Sequence, residues 1–273
     1  MSTLLVDLHM HTCCSDGIWT RERLVDEVRA RALDVFCISD HDTLDAYPLP
    51  ADVMSRAISG LEVDSHHGGH TVHILGYGVH DKASPLLVAL QKQRLAREER
   101  MSSMIEAVRT HGIEVSMSDV RAQATGAVSL GRPHLARALV KCGAVSTVQE
   151  AFDRYLADNG NAYVALERLT AAQAIDLIHL SGGVAIAAHP KRLHNESDLR
   201  ELVELGLDGI EIVHPTAHPE DEALLLDTVR AHGLLATAGT DFHAPVEGRP
   251  IGVPFPAEEI DRLREAIERR ARQ

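Results

Sequence analysis

Aromatic residues are scarce, with Phe, Tyr and Trp making up only 3% of the 273 residues. A platform that stacks successive bases of a single strand needs more rings than that. A basic excess is missing too, because the formal net charge is -13 at pH 7. This argues against a broad groove for the phosphate backbone of long nucleic acid, which requires a cationic face. A small phosphorylated substrate stays open, since bound cations would reverse the local sign. No apolar run is long enough to span a bilayer. The stretch Met1 to Asp7 lacks the basic leader and cleavage site of a secretory signal, so a cytoplasmic location without a membrane partner is expected. The four cysteines, Cys13, Cys14, Cys37 and Cys142, form no Cys-x-x-Cys pair. A thiolate zinc site is therefore disfavoured and a reducing compartment fits.

What the chain does have is histidine and carboxylate at the ends of aliphatic runs. Leu4 to Leu8, Val35 to Ile38, Val184 to Ala188, Ile210 to Val213 and Leu234 to Ala238 are continuous rather than alternating, as in buried parallel strands. Helical segments alternate with them, with Thr20, Thr170 and Ser197 placed as N-caps and Gly182-Gly183 and Gly206 as stops. Strand-helix alternation with functional residues at strand carboxyl ends describes an α/β barrel or a doubly wound sheet. Ligand types from several strand ends favour the barrel, which aims those ends at one point. Between His41 and Glu62, Pro48 and Pro50 discourage a long helix. From about 84 to 168 the pattern turns helical, with Met101, Met104, Ile105 and Val108 on one face. The predicted organisation is a barrel from 1–83 plus 169–273 with an inserted helical cap over 84–168.

His9 and His11 stand at i and i+2, so on extended backbone they share a face and can grip one cation. Ser15-Asp16-Gly17 follows. Asp40-His41-Asp42 packs two carboxylates around an imidazole after a buried run, which costs several kcal/mol in desolvation and repulsion unless a cation is present. His41 reads as a ligand, and Asp40 and Asp42 as supporting or acid-base groups. Glu62 and His73 add a carboxylate able to bridge cations and another imidazole. Late in the chain come Ala188-His189-Pro190 and Gly239-Thr240-Asp241-Phe242-His243. His66, His67, His70 and His80 read as exposed loop residues. Arg132-Pro133-His134 and Lys191-Arg192 differ in kind, because a guanidinium grips phosphate oxygens rather than a metal. Glu211, His214 and His218 also follow a strand-like run. Imidazole and carboxylate without thiolate suit manganese, iron or zinc.

The ordered motifs Asp-Leu-His-x-His-Thr with Ser-Asp-Gly, Ser-Asp-His-Asp, Gly-Leu-Glu, Ala-His-Pro and Gly-Thr-Asp-Phe-His resemble the polymerase and histidinol phosphatase (PHP) family over nearly the whole chain. Arg132-Pro133-His134 within a helical insert resembles its nucleoside 3',5'-bisphosphate phosphatase branch, some members of which are 5'-to-3' exonucleases on short oligonucleotides. The resemblance implies a distorted seven-stranded β/α barrel with three divalent cations. It implies His9, His11, Glu62 and Asp241 for the first, Glu62, His73 and His189 for the second, and Asp16, His41 and His243 for the third. Arg132, His134, Arg192 and His218 match positions that contact substrate, chiefly its phosphates. Ser39 replaces the more usual threonine.

The expected chemistry is in-line attack of activated water on a phosphomonoester, with Arg132 and Arg192 orienting a second phosphate. His134 or Asp42 would protonate the leaving ribose oxygen. The rivals are a histidinol-phosphate-type phosphatase, which needs no second-phosphate clamp, and a metal-loaded scaffold without catalysis.

Overall fold

A computed structural model of the chain describes residues 2–124, 130–157, 159–165, 168–190, 196–214 and 219–273. It divides into two compact units, Met1–Ala89 with Arg168–Gln273, and Leu90–Glu167. In chain order the first unit holds β1 (Thr3–Asp7), α1 (Arg21–Ala30), β2 (Val35–Phe36), α2 (Ala51–Met54), β3 (Gly60–His67) and β4 (His70–Tyr77). Helix α3 (Pro85–Arg109) leads into α4 (Met117–Ala122), α5 (Arg132–Lys141) and α6 (Val148–Ala151), which runs on as a π-helical turn, Phe152–Leu156. The chain returns through β5 (Leu169–Thr170), α7 (Ala171–Leu180), β6 (Val184–Ala187), α8 (Glu196–Glu204) and β7 (Gly209–Val213). It ends with α9 (Pro219–His232), β8 (Leu235–Ala238), β9 (Val253–Pro256) and α10 (Ala257–Arg270). The first break, at Ala89, falls later than residue 84 because the start of α3 belongs to the first unit. There Leu86 is buried and its N–H donates to Ser181 Oγ at 3.2 Å.

The first unit is a mixed α/β fold. One sheet has six strands in the order β5-β3-β4-β6-β7-β8, and a second has three in the order β2-β1-β9. Pairs β6-β7, β7-β8 and β1-β2 are parallel, as the continuous apolar runs predict. Strand β4, however, runs antiparallel to both β3 and β6, and β9 antiparallel to β1. The first reversal has a local cause. Gly68 and Gly69, at φ 56° and 84°, turn the chain straight back between β3 and β4, so no crossover helix is needed. His66, His67 and His70 thus lie in a hairpin's strands, not in a loop. Backbone contacts join the two sheets at both margins. Leu8 N–H donates to Ala238 O at 3.0 Å, Met10 bridges Phe242, and His41 bridges Glu62.

Val6, Leu75, Ile186, Ile210 and Ala238 are buried in one apolar cluster between the strands. Helix α1 closes a second. Thr20 accepts from the Arg23 N–H, and Leu24, Val25 and Val28 are buried beneath it with Phe36 and Ile38. Each such side chain contributes roughly 1.5–3 kcal/mol by leaving water, and a carboxylate at Val28 would forfeit that and strand a charge. Thr170 forms a capping box with Gln173 at the start of α7. The capping role read for Ser197 lies outside the described side chains. The passage from His41 to Glu62 contains only the four-residue α2, as Pro48 and Pro50 require. In the second unit Met101, Met104, Ile105 and Val108 turn their shared face into a core with Leu135, Leu139 and Leu156.

Candidate metal centre

Donor atoms from distant parts of the first unit converge, some from segments that follow β1, β2, β6 and β8 and some from within β3 and β4. His9, His11, Glu62 and Asp241 each bring one within 4.8 Å of the others. His11, Asp16, His41 and His243 do the same, as do His41, Glu62 and His73. At the centre, Glu62 Oε2 lies 3.2 Å from His9 Nε2, His11 Nε2 and His41 Nδ1. All four atoms are buried and make no hydrogen bond. Asp241 Oδ1 is 3.4 Å from both His9 Nε2 and His11 Nε2. Donors held about 2.0–2.2 Å from a common cation stand about 3 Å or slightly more apart, so the spacing fits a divalent ion. Buried lone pairs facing one another without a donor would otherwise be costly. The donor chemistry and these orphaned atoms make the residues a fitting metal cradle.

Glu62 uses its two oxygens differently. Oε1 faces His73 Nδ1 at 2.9 Å and His189 Nε2 at 3.0 Å, on the side away from the Oε2 cluster. Asp16 reaches His243 Nε2 at 3.2 Å and His41 Nε2 at 3.7 Å through different oxygens. His41 therefore turns one ring nitrogen to Glu62 and the other to Asp16. All nine residues expected as ligands lie in this connected cluster.

Backbone geometry is adapted to this convergence. Four non-glycine residues have a distinctly positive φ among the described residues: Ala32, Asp42 (57°), His189 (31°) and Asp241 (48°). Three of these belong to the cluster or flank it, and such conformations are held only where the surroundings impose them. A Cβ at Gly239 would collide with the His9 side chain and backbone, so glycine there is what lets His9 approach. Buried carboxylates then tie down the loops that carry the cluster. Asp40 accepts from Thr12 N, Thr12 Oγ1 and Ser15 Oγ at 2.6–2.7 Å. Asp7 accepts from Thr240 N, Thr240 Oγ1 and Gly252 N. Glu211 takes His9 Nδ1 on one oxygen at 2.9 Å and the His189 N–H on the other at 2.7 Å. Glu211 has no role legible in the sequence alone. Its one signal was a carboxylate between the apolar Ile210 and Ile212, where only an internal partner could hold it.

The charges respond to one another more than to solvent. Burial opposes ionisation of Glu62, but the imidazoles of His41, His9 and His73 outweigh it and hold the carboxyl well below its usual range. Asp16 is lowered in the same way, burial being overcome chiefly by His41 and His243. For Asp241, His11 and His9 overcome burial and lower the carboxyl. Burial favours neutral His11, yet its interactions with Asp241 and Glu62 prevail and raise it to about 10. His41 goes the other way, lowered by burial despite the attraction of Glu62 and Asp16. Asp42 accepts the Asp64 N–H on Oδ1 at 3.0 Å, beside the cluster. In the second unit His134 is buried with Nδ1 accepting from Gly131 N–H, and Arg132 donates to Leu156 O with its guanidinium near the Phe152 and Tyr163 rings. Arg192 and His218 lie outside the described residues.

No family model matches the chain. Curated relatives do. It is 32% identical over 275 residues to the 5'-3' exoribonuclease Rnm of Salmonella typhimurium, spanning 94% of this chain and 92% of that one. It is 33% identical over 261 residues to the 3',5'-nucleoside bisphosphate phosphatase of Chromobacterium violaceum, covering 90% of each. The chain belongs to the PHP phosphoesterase family. Among solved structures it is similar to one from Bifidobacterium adolescentis described as a metal-dependent phosphoesterase, with TM-score 0.80, 28% identity and 96% of each chain covered. A Chromobacterium violaceum structure described as an amidohydrolase, holding sulfate and no metal, superposes with TM-score 0.79 at 31% identity over 92% of this chain and 91% of that one. The PHP motifs of the sequence are the residues that meet around Glu62.

Proposed function

We propose that this PHP protein removes the 3'-phosphate from nucleoside 3',5'-bisphosphates and trims short oligonucleotides from the 5' end, using three divalent cations of manganese, iron or zinc type. The observation that carries the reading is the set of four buried, unbonded donor atoms of His9, His11, His41 and Glu62. Relatives named for both activities, each matched over most of its length, support the substrate class. His9, His11, Glu62 and Asp241 would hold one cation, Glu62 with His73 and His189 a second, and Asp16, His41 and His243 a third.

The chemistry such cations supply when bound is activation of water and neutralisation of charge on phosphoryl oxygens. The chain's own groups do the rest. Glu211 fixes the His9 ring by accepting a hydrogen bond from Nδ1–H, which leaves the Nε2 lone pair for the cation that His9 would share with Glu62. As water adds to phosphorus, the bond to the ribose oxygen breaks and that oxygen needs a proton. His134, whose Nδ1 is engaged as an acceptor, carries its proton on Nε2 when neutral and can donate it. Asp42 is the other candidate donor, seated beside the cluster. Arg132 and Arg192 would bind the phosphate that is not cleaved, and His134 and His218 would complete that contact.

The same reading treats the first unit as a distorted seven-stranded barrel, supported by the backbone contacts that join its two sheets at both margins. It treats residues 84–168 as an inserted helical cap subdomain, supported by the helical unit's place in the middle of the sequence. No described helix is long and apolar enough to cross a membrane, and the cytoplasm is the expected setting. The test is turnover of adenosine 3',5'-bisphosphate, AMP, histidinol phosphate and a short RNA with added manganese. The bisphosphate and the RNA should lead. Preference for histidinol phosphate or AMP would favour a small-metabolite phosphatase, and tight metal without hydrolysis of any phosphoester would favour a scaffold.

A further inference from the structure

Beside the metal centre the first unit contains a cavity of about 680 Å³, within the size range of small-ligand sites. Asp241 and His243 form part of its lining, so it adjoins the place where phosphorus would react. Val213, Phe242, Pro250 and Val253 give it apolar surface, and among the described residues Arg249 is the lysine or arginine that lines it. Among the described residues no carboxylate pairs with the Arg249 side chain, although the chain carries 40 acidic residues. An unpaired guanidinium beside a cavity is suited to an anion that arrives with the ligand.

The position of Arg249 is built rather than incidental. Its N–H donates to Val246 O at 3.0 Å, closing a turn in which Gly248 takes φ 75°. Glycine supplies the positive φ that this turn requires at its third residue. Pro250 restricts Arg249 to extended backbone, and the next residue, Ile251, is buried in the core. The Gly252 N–H then donates to Asp7 Oδ2 at 2.9 Å. That same oxygen accepts Thr240 Oγ1, and Asp7 Oδ1 accepts Thr240 N, one residue before Asp241. A single buried carboxylate therefore anchors the loop bearing Arg249 and the loop bearing the ligand Asp241. The two walls of the cavity are held at a fixed spacing.

We propose that this cavity is a subsite for the nucleotide on the 3' side of the scissile bond in a short oligonucleotide, with Arg249 pairing with that nucleotide's phosphate. The inference rests on the phosphoesterase reading and extends it. A nucleoside bisphosphate ends at its 3'-phosphate and has nothing to place there, whereas every longer chain does. The apolar walls suit sugar and base, and the Arg249 guanidinium suits a phosphodiester. Arg249 thus acts as a selector for chain length.

The experiment compares wild type with Arg249→Ala and Arg249→Lys, using adenosine 3',5'-bisphosphate and a 5'-phosphorylated RNA hexamer with manganese. Arg249 is exposed on its turn, so these changes leave the fold intact. The ratio of kcat/KM for hexamer over bisphosphate should fall about tenfold in Arg249→Ala, the worth of one charge-assisted contact, and recover in part with lysine. Binding of a labelled hexamer should lose about 0.7 from the slope of log affinity against log salt, as for one single-strand phosphate. An unchanged ratio, or equal losses on both substrates, overturns the subsite. If wild type turns over neither substrate, the phosphoesterase reading fails separately. Hexamer binding then still decides, since equal affinity of wild type and Arg249→Ala for the labelled hexamer rejects the subsite on its own.

Discussion

His9 Nδ1 lies 2.9 Å from Glu211 Oε1, and neither side chain reaches solvent. A carboxylate only accepts, so Nδ1 carries the shared proton and the opposite nitrogen is the one turned towards the candidate metal position. The second oxygen of Glu211 accepts the His189 N–H, so one buried residue positions imidazoles that face both oxygens of Glu62. Replacing Glu211 with Ala should weaken zinc binding about 10–100-fold, the usual effect of losing such a partner. Chelator competition measures it. Glu211→Gln keeps an acceptor for one contact and should fall between the two. Equal zinc affinity in all three proteins would show that His9 needs no partner.

Metal should enter by displacing protons. In the cation-free cluster His11 is raised to about 10, so below that pH it carries a proton that a ligand nitrogen must give up. Apparent metal affinity should therefore climb as pH rises from 6 to 9. Calorimetric titrations in buffers of different ionisation enthalpy would register the release. Heats independent of the buffer would refute the assignment of His11 as a ligand.

Glu62 offers both oxygens to the cluster, and its loss should be the most severe single change there. Glu62→Gln should abolish turnover and lower bound metal to below the wild-type content, counted by elemental analysis. The fold should persist, because the apolar clusters around the strands do not depend on this side chain. Wild-type metal content with normal activity would remove Glu62 from the centre.

The proton donor can be found by changing the leaving group. His134→Ala or Asp42→Asn should slow release from a ribose oxygen by about 100-fold or more. p-Nitrophenyl phosphate, whose leaving group departs without protonation, should be spared by whichever change removes the true donor. A variant that loses both activities equally has lost binding or structure instead.

Gly239 allows His9 its place, and a methyl group there should push the ring away from Glu62. Gly239→Ala should cost metal affinity and stability together, seen as a lower melting temperature with and without added manganese. A variant as stable and as metal-avid as wild type would show that the strand ends have slack.

The amino-acid order by itself determined the chemistry. Imidazoles and carboxylates set against apolar runs are costly to bury unless they share a partner, so His9, His11, Glu62, His189 and Asp241 mark a site in the sequence alone. The spacing of Thr20 and of Met101 to Val108 likewise marked helices, because caps and one-sided burial are local effects. Tertiary structure decided what depends on partners far apart in sequence. The antiparallel course of β4 follows from a tight turn whose outcome periodicity does not reveal. Glu211 acquired its role only when β7 was set beside the segment after β1, some 200 residues away in the chain. Arg249 became more than a surface charge once Asp7 drew its loop and that of Asp241 to a common anchor. Local propensity carries no record of such long-range contacts, and these contacts are what fix a pocket.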